Sequence, residues 1–301
     1  MSPDHLGKIN PNPTEEELLS LVARKEGNQI VVPGSNLRFD RFFIPVEETW
    51  RNLIGKKDIK PQAENPNIEY LYKKKPEITE YMGKVKDIAN GNRTPDDLAA
   101  VFDYCLPLGR VYKLLALEAI EKVGDSAIVY APDNGGLYVK WVLEQVLEDK
   151  KVNWKFFNYR MSRIPVDCGP YGKRLGVGTI FHDYLDMIRS FKNQLLYDDC
   201  VATDVSLKET FNIIEETWGE EIKNCDVSIF TSVANETTLN NLEHDVSKRA
   251  NRVHAISGIP NYCLNEHGSL VEENGDATVS DMGSWTKRFK EISEPLQKAL
   301  F

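Results

Sequence analysis

The sequence predicts an α/β fold: a mostly parallel sheet flanked by helices, with a largely helical N-terminal extension. Three observations carry this reading. Between residues 126 and 256, short apolar runs alternate with stretches of helical spacing, the rhythm of a parallel sheet covered on both faces. Glycine, proline and polar breaks punctuate the alternation, as at Gly135-Gly136. The chain has 301 residues, 41% of them apolar, enough to bury one large core or one core plus an appended domain.

Residues 1–93 form the extension, or cap. They carry proline breaks at Pro11, Pro13, Pro33, Pro61, Pro66 and Pro76, with helices expected at 14–25 and 77–90. Phe39, Phe42, Phe43, Ile44 and Trp50 are the apolar residues that would anchor it onto the main domain. The α/β domain is placed at 94–260. Thr94-Pro95-Asp96-Asp97 is a helix start, with an N-cap, a proline in the first turn and early acids. Helical spacing runs from there to about Val123, with a break suggested near Pro107-Leu108-Gly109. Strands are then expected at 126–131, 154–158, 194–197, 227–233 and 253–256. Helices are expected at 137–147, 182–191 and 207–218, and a long loop at 159–178. A polar C-terminal tail, or hood segment, occupies 261–301 and ends in a basic amphipathic helix.

Composition narrows the function. No apolar run approaches the roughly eighteen residues of a membrane span. Met1 to Pro13 lacks the basic-then-apolar order of a signal peptide, so a cytoplasmic location is expected. The cysteines, Cys105, Cys168, Cys200, Cys225 and Cys263, are odd in number and widely spaced, which reads as reduced, buried thiols rather than a zinc site. A net charge of −9 argues against extended nucleic-acid binding, while a small anionic ligand needs only local positive potential.

The segment richest in chemistry runs from Asn193 to Leu207. It reads as a buried strand ending in Asp198-Asp199, then the polar turn Ala202-Thr203-Asp204-Val205-Ser206, then a helix. In an open α/β sheet, ligands bind beyond the carboxyl ends of the strands. A helix N-terminus offers free N–H groups and the positive end of its dipole to a phosphate. Acids just ahead of such a cradle suit a sugar phosphate, with carboxylates on the ribose hydroxyls and amides on the phosphate. The competing reading is an ordinary strand–turn–helix with Asp204 as its N-cap.

This segment resembles the phosphoribosyl pyrophosphate fingerprint of the type I phosphoribosyltransferases: four apolar positions (Gln194 to Tyr197), two acids, two apolar residues (Cys200, Val201) and a short phosphate loop. It departs from the pattern where many members carry Gly-Gly, here Asp204-Val205, which sets a negative charge beside the expected phosphate. The turn Asp133-Asn134-Gly135-Gly136 after an apolar strand resembles the pyrophosphate loop of the same family. Between the two, Arg160, Arg163, Lys173 and Arg174 place four cations within fifteen residues. In this family a flexible loop or hairpin at that position closes over the site. His182-Asp183 follows, read as a helix cap before a proton-transfer pair.

The resemblance covers about residues 100–260. It implies a phosphoribosyl pyrophosphate donor, with Mg²⁺ bound through the substrate and near Asp198 and Asp199. It also implies transfer to an unidentified acceptor, a nitrogen nucleophile, chosen by a variable hood, and a homodimer. Two rivals stand beside it. One is a non-catalytic, regulatory or nucleotide-processing member of the same fold. The other is a Rossmann-like methyltransferase or receiver-like domain, for which the turn at Asp133 and the acid-free strand end near Asn158 are poor matches.

Overall fold

The computed structural model of the chain describes residues 10, 12–45, 94–131, 137–201, 205–234, 236–259, 263–264, 270–271 and 292–301. The helix expected at 77–90 and the anchor Trp50 lie outside them. The chain divides into two compact units, Met1–Glu48 with Tyr159–His182, and Thr49–Asn158 with Asp183–Phe301.

The second unit holds the parallel sheet. Its strands are β5 (Ile128–Tyr130), β6 (Lys155–Phe157), β9 (Asn193–Val201), β10 (Asp226–Ala234) and β11 (Arg252–Ile259). They lie side by side in the order β11-β10-β9-β5-β6 and every pairing is parallel. Taken in chain order this is the 2-1-3-4-5 arrangement of a doubly wound sheet, with its topological switch between β5 and β9. Helices α2 (Pro95–Val123), α3 (Leu137–Lys150), α4 (Val205–Trp218) and α5 (Glu236–Ser247) flank the sheet, and α6 (Ser293–Leu300) ends the chain. A two-residue antiparallel pair, β12 (Cys263–Leu264) and β13 (Leu270–Val271), follows β11.

Strand alternation assigns the faces. Val129, Leu195, Tyr197 and Phe230 share one core with α2, α3 and α6. On the other face Gln194 donates its amide to the carbonyls of Ile188 and Phe191, tying a 3-10 turn at Leu185–Ser190 to the sheet. That turn, expected as a full helix, packs with α4.

Helix α2 runs through Pro107-Leu108-Gly109 without the expected break. Tertiary packing overrides local propensity here. A Cβ on Gly109 would sit 2.3 Å from the Tyr138 hydroxyl and 2.6 Å from Leu300, so the bare glycine makes the space that both use. Tyr138 donates its hydroxyl to the Cys105 carbonyl at 2.7 Å. Helix α6 is part of this same core: Leu296 and Leu300 are buried in it, and Lys113 donates to the Leu300 carbonyl at 2.7 Å.

The first unit is mostly strand. Helix α1 (Glu15–Val22) opens it with a reciprocal capping box between Thr14 and Glu17. It is shorter than expected because Gly27, at φ +64°, turns β1 (Arg24–Glu26) back against β2 (Gln29–Val31). Strands β3 (Arg38–Phe39) and β4 (Arg41–Phe43) follow, so among residues 12–45 helix is confined to α1. The segment expected as a loop at 159–178 is a regular antiparallel hairpin of β7 (Tyr159–Asp167) and β8 (Lys173–Phe181). Its tip is a 3-10 turn in which Gly169 and Gly172 take the left-handed φ values of 61° and 74° that other residues avoid. β4 extends the hairpin sheet, and Phe39, Phe42 and Ile44 share a core with Val166 and Cys168. Phe39, Phe42 and Ile44 thus pack within this unit against the hairpin.

Cys105, Cys168 and Cys225 are free and buried. Burial raises all three thiols, Cys225 to about 11, which keeps them protonated and unreactive. Among the described residues no helix is long and apolar enough to cross a membrane.

Two outcomes are expected. A Cβ on Gly178 would lie 2.3 Å from the buried Phe39 ring. Gly178→Val should therefore cost about 1–3 kcal/mol, seen as a lower melting temperature and faster proteolysis within 159–182. His254 lies on β11 with its Nε2 buried and unpartnered. Burial, then Lys122, hold its pKa below the usual 6.5, against an upward pull from Glu118. Below 6.5 the unfolded chain takes up a proton that the fold resists, so stability is full above that value and falls as pH drops through it. Denaturant unfolding at about pH 7.5 and about pH 5.5 should show a smaller loss for His254→Phe than for the unmodified chain.

Candidate functional site

Strand β9 lies inside the sheet, paired with β5 on one side and β10 on the other. Gln194, Leu195, Leu196, Tyr197 and Asp198 are all buried. This explains the apolar run before the acids: a strand covered on both faces has little room for water-seeking side chains. Gln194 is the polar exception, and it is satisfied. Besides its two carbonyl acceptors, its Oε1 takes the Tyr130 hydroxyl at 2.6 Å. Tyr197 donates to the Tyr112 carbonyl at 3.2 Å, and burial pushes its phenol far above the usual range, so it serves packing rather than acid–base work.

Asp198 and Asp199 sit near the carboxyl end of β9, which runs two residues past them to Val201. Asp198 is only 8% exposed and is not without a partner. By alternation it lies on the face of Gln194 and Leu196, opposite Tyr197. β5 stops at Tyr130, opposite Leu196, so the chain leaves the sheet two residues short of the level of Asp198. The turn it enters, including Asp133, Asn134, Gly135 and Gly136, lies outside the described residues, as do Ala202, Thr203 and Asp204. Helix α4 starts at Val205, which is buried, with Ser206 half-buried behind it. Ser206 lends its carbonyl to the Thr210 hydroxyl at 3.0 Å. Three residues, 202–204, separate this helix start from the end of the acid-bearing strand at Val201. Among the described residues no group of three or more acids, histidines or cysteines could hold a metal by protein ligands alone.

The four cations are dispersed. In the hairpin register Arg174 pairs with Val166 and Lys173 with Asp167. Alternation then places Arg160 and Arg174 on one face, Arg163 and Lys173 on the other. Their closeness in sequence is thus undone by an extended backbone that turns neighbours apart. Arg160, Arg163 and Lys173 are exposed; Arg174 is half-buried.

The His182-Asp183 pair does not cap a helix. Asp183 accepts from the Asn158 backbone N–H at 2.7 Å and from its side-chain amide at 2.8 Å, and Lys140 donates to Asn158 Oδ1 at 2.9 Å. These bonds tie together the two points, Asn158 and Asp183, between which the hairpin is inserted. Sequence reasoning also passed over two buried polar residues, Thr231 on β10, paired with Asp198, and Glu209 on α4. A threonine in an apolar strand and a glutamate in an amphipathic helix carry no motif.

The class these features define is an open parallel α/β protein. Its acid-bearing strand, β9, stands at the switch point of the sheet. No family model and no curated protein matches the chain. Similar solved structures include a protein of Neisseria gonorrhoeae with bound ppGpp, 14% identical over 66% of this chain and 94% of that one, TM-score 0.34. An adenine phosphoribosyltransferase of Thermoanaerobacter pseudethanolicus is 15% identical over 55% and 86%, TM-score 0.33. A purine phosphoribosyltransferase of Pyrococcus horikoshii is 11% identical over 58% and 95%, TM-score 0.27. Likeness this loose assigns no ligand and no residue role.

Proposed function

We propose that the carboxyl edge of the sheet binds 5-phosphoribosyl 1-pyrophosphate and that the protein transfers its phosphoribosyl group to an acceptor. One observation carries this most. The strand bearing Asp198 and Asp199 stands at the topological switch point, next to β5, so the turns after Tyr130 and Val201 leave from adjacent strands. At such a point two loops part and leave a crevice for a ligand.

In this reading Asp198 and Asp199 take the ribose 2′ and 3′ hydroxyls. The loop from Ala202 through Thr203, Asp204 and Val205 to Ser206, with the start of α4, takes the 5′-phosphate through backbone N–H groups. The turn from Asp133 to Gly136 takes the diphosphate, where glycine lets the backbone come close. Cleavage of the C1–O bond builds positive charge on the ribose, which the acids stabilise. Mg²⁺ fits the donor set: it keeps several waters and needs only one or two carboxylates beside substrate phosphates. Asp198 and Asp199 would hold it through the sugar, and it would supply charge neutralisation on the diphosphate.

A second reading has support of its own. Arg160 and Arg174 lie on the opposite hairpin face from Arg163 and Lys173, so the four form no single basic face, and Asp204 adds negative charge to the phosphate loop. Both favour a member that binds a nucleotide without turning it over.

Calorimetric titration with the donor, with and without Mg²⁺, against AMP and S-adenosylmethionine, separates these readings. Magnesium-dependent donor binding supports the first. Binding of AMP alone supports the second, and S-adenosylmethionine alone would overturn both. Asp198→Asn with Asp199→Asn should cut donor affinity by about a hundredfold or more with the fold intact; unfolding would make the acids structural. Asp204→Gly should hold or tighten phosphate binding, because it removes a like charge.

A further inference from the structure

The proposed ribose site leans on Asp198, and the sheet gives that carboxylate one particular neighbour. We propose that Thr231 is a positioning residue, whose hydroxyl donates to the Asp198 carboxylate and holds it in one rotamer toward the ribose hydroxyls of a sugar phosphate. This rests on the ribose-phosphate reading above.

Register carries the inference first. β9 and β10 are parallel, with Asp198 directly opposite Thr231 and Tyr197 opposite Phe230. Tyr197 and Phe230 both enter the core formed with α2 and α3. One residue further along, Asp198 and Thr231 therefore share the opposite face, on strands about 4.8 Å apart. That spacing lets a hydroxyl reach a carboxylate oxygen.

Burial carries it second. Thr231 is 1% exposed and Asp198 8%. A carboxylate taken this far from water is costly unless hydrogen-bonded. An ionised aspartate only accepts and a threonine hydroxyl can donate, so chemistry sets the direction of the bond. Neither residue is without a partner. The composition of β10 agrees: Val227, Ile229 and Phe230 are buried and apolar, and valine would fill the Thr231 position equally well if shape alone mattered.

The test uses Thr231→Val, which removes the hydroxyl and keeps the shape, and Thr231→Ser, which restores the hydroxyl. Donor affinity with Mg²⁺ should fall about tenfold or more in Thr231→Val and stay within about threefold in Thr231→Ser. Equal losses in both variants, or none in either, would overturn the proposal. A ligand-free arm separates this failure from failure of the ribose reading: a double-mutant cycle of Thr231→Val with Asp198→Ala in denaturant unfolding. Coupling of about fivefold or more in the unfolding constant is expected. Absence of coupling overturns the Thr231–Asp198 pair whatever the ligand. Coupling with no donor binding by the unmodified chain leaves the pair structural and overturns its role in positioning.

Discussion

An acid-bearing strand in the middle of a sheet is the constraint on which the rest of this structure depends. Interior strands of a parallel sheet are covered on both faces, and β9 is covered along Gln194 to Asp198. Burial favours the protonated form of a carboxylate unless neighbours reward its charge. A fold that keeps Asp198 so placed needs polar company at the carboxyl end of the sheet and apolar packing behind it. Thr231 on the adjacent strand is the polar neighbour at that level, and Leu196 and Ile229 lie behind on the same face.

The opposite face shows how the apolar backing is made. Helix α2 passes Gly109 without interruption because Tyr138 and Leu300 fill the space a side chain would have taken. The last helix, α6, reaches this core from the far end of the chain, and its closing carbonyl is held by Lys113. Residues far apart in sequence thus complete one layer under Tyr197, and Tyr197 is the immediate neighbour of Asp198. The site is as rigid as this layer is well packed.

The hairpin unit follows a different logic. A two-stranded hairpin alone is marginal in water, and β7 and β8 gain a third strand from β4 and a core from Phe39, Phe42 and Ile44. Gly176 and Gly178 admit the Phe42 and Phe39 rings against the strand itself. An insertion that would otherwise be a mobile arm is thereby made into a small sheet with its own interior.

Much of this was legible in the sequence, because alternating strand and helix periods and paired acids before a turn are local signals. The five strands of the parallel sheet fall where the apolar runs predict, and Thr94-Pro95 marks the start of α2. The hairpin was read as a loop because its glycines and prolines are local breakers, whereas the Phe39 and Phe42 rings that make Gly176 and Gly178 good strand residues lie far away in sequence. The basic residues looked like one cluster because spacing in sequence ignores the alternation of an extended chain. Thr231 carried no signal, since its meaning is set by register with another strand. The sequence by itself determined the secondary-structure rhythm and the paired acids ahead of a turn, because both depend on side-chain type and short-range order. Only the tertiary structure decided that β9 stands at the switch point, that Asp198 faces Thr231, and that the cations part between two faces, because strand order, register and facing are set by contacts between distant segments.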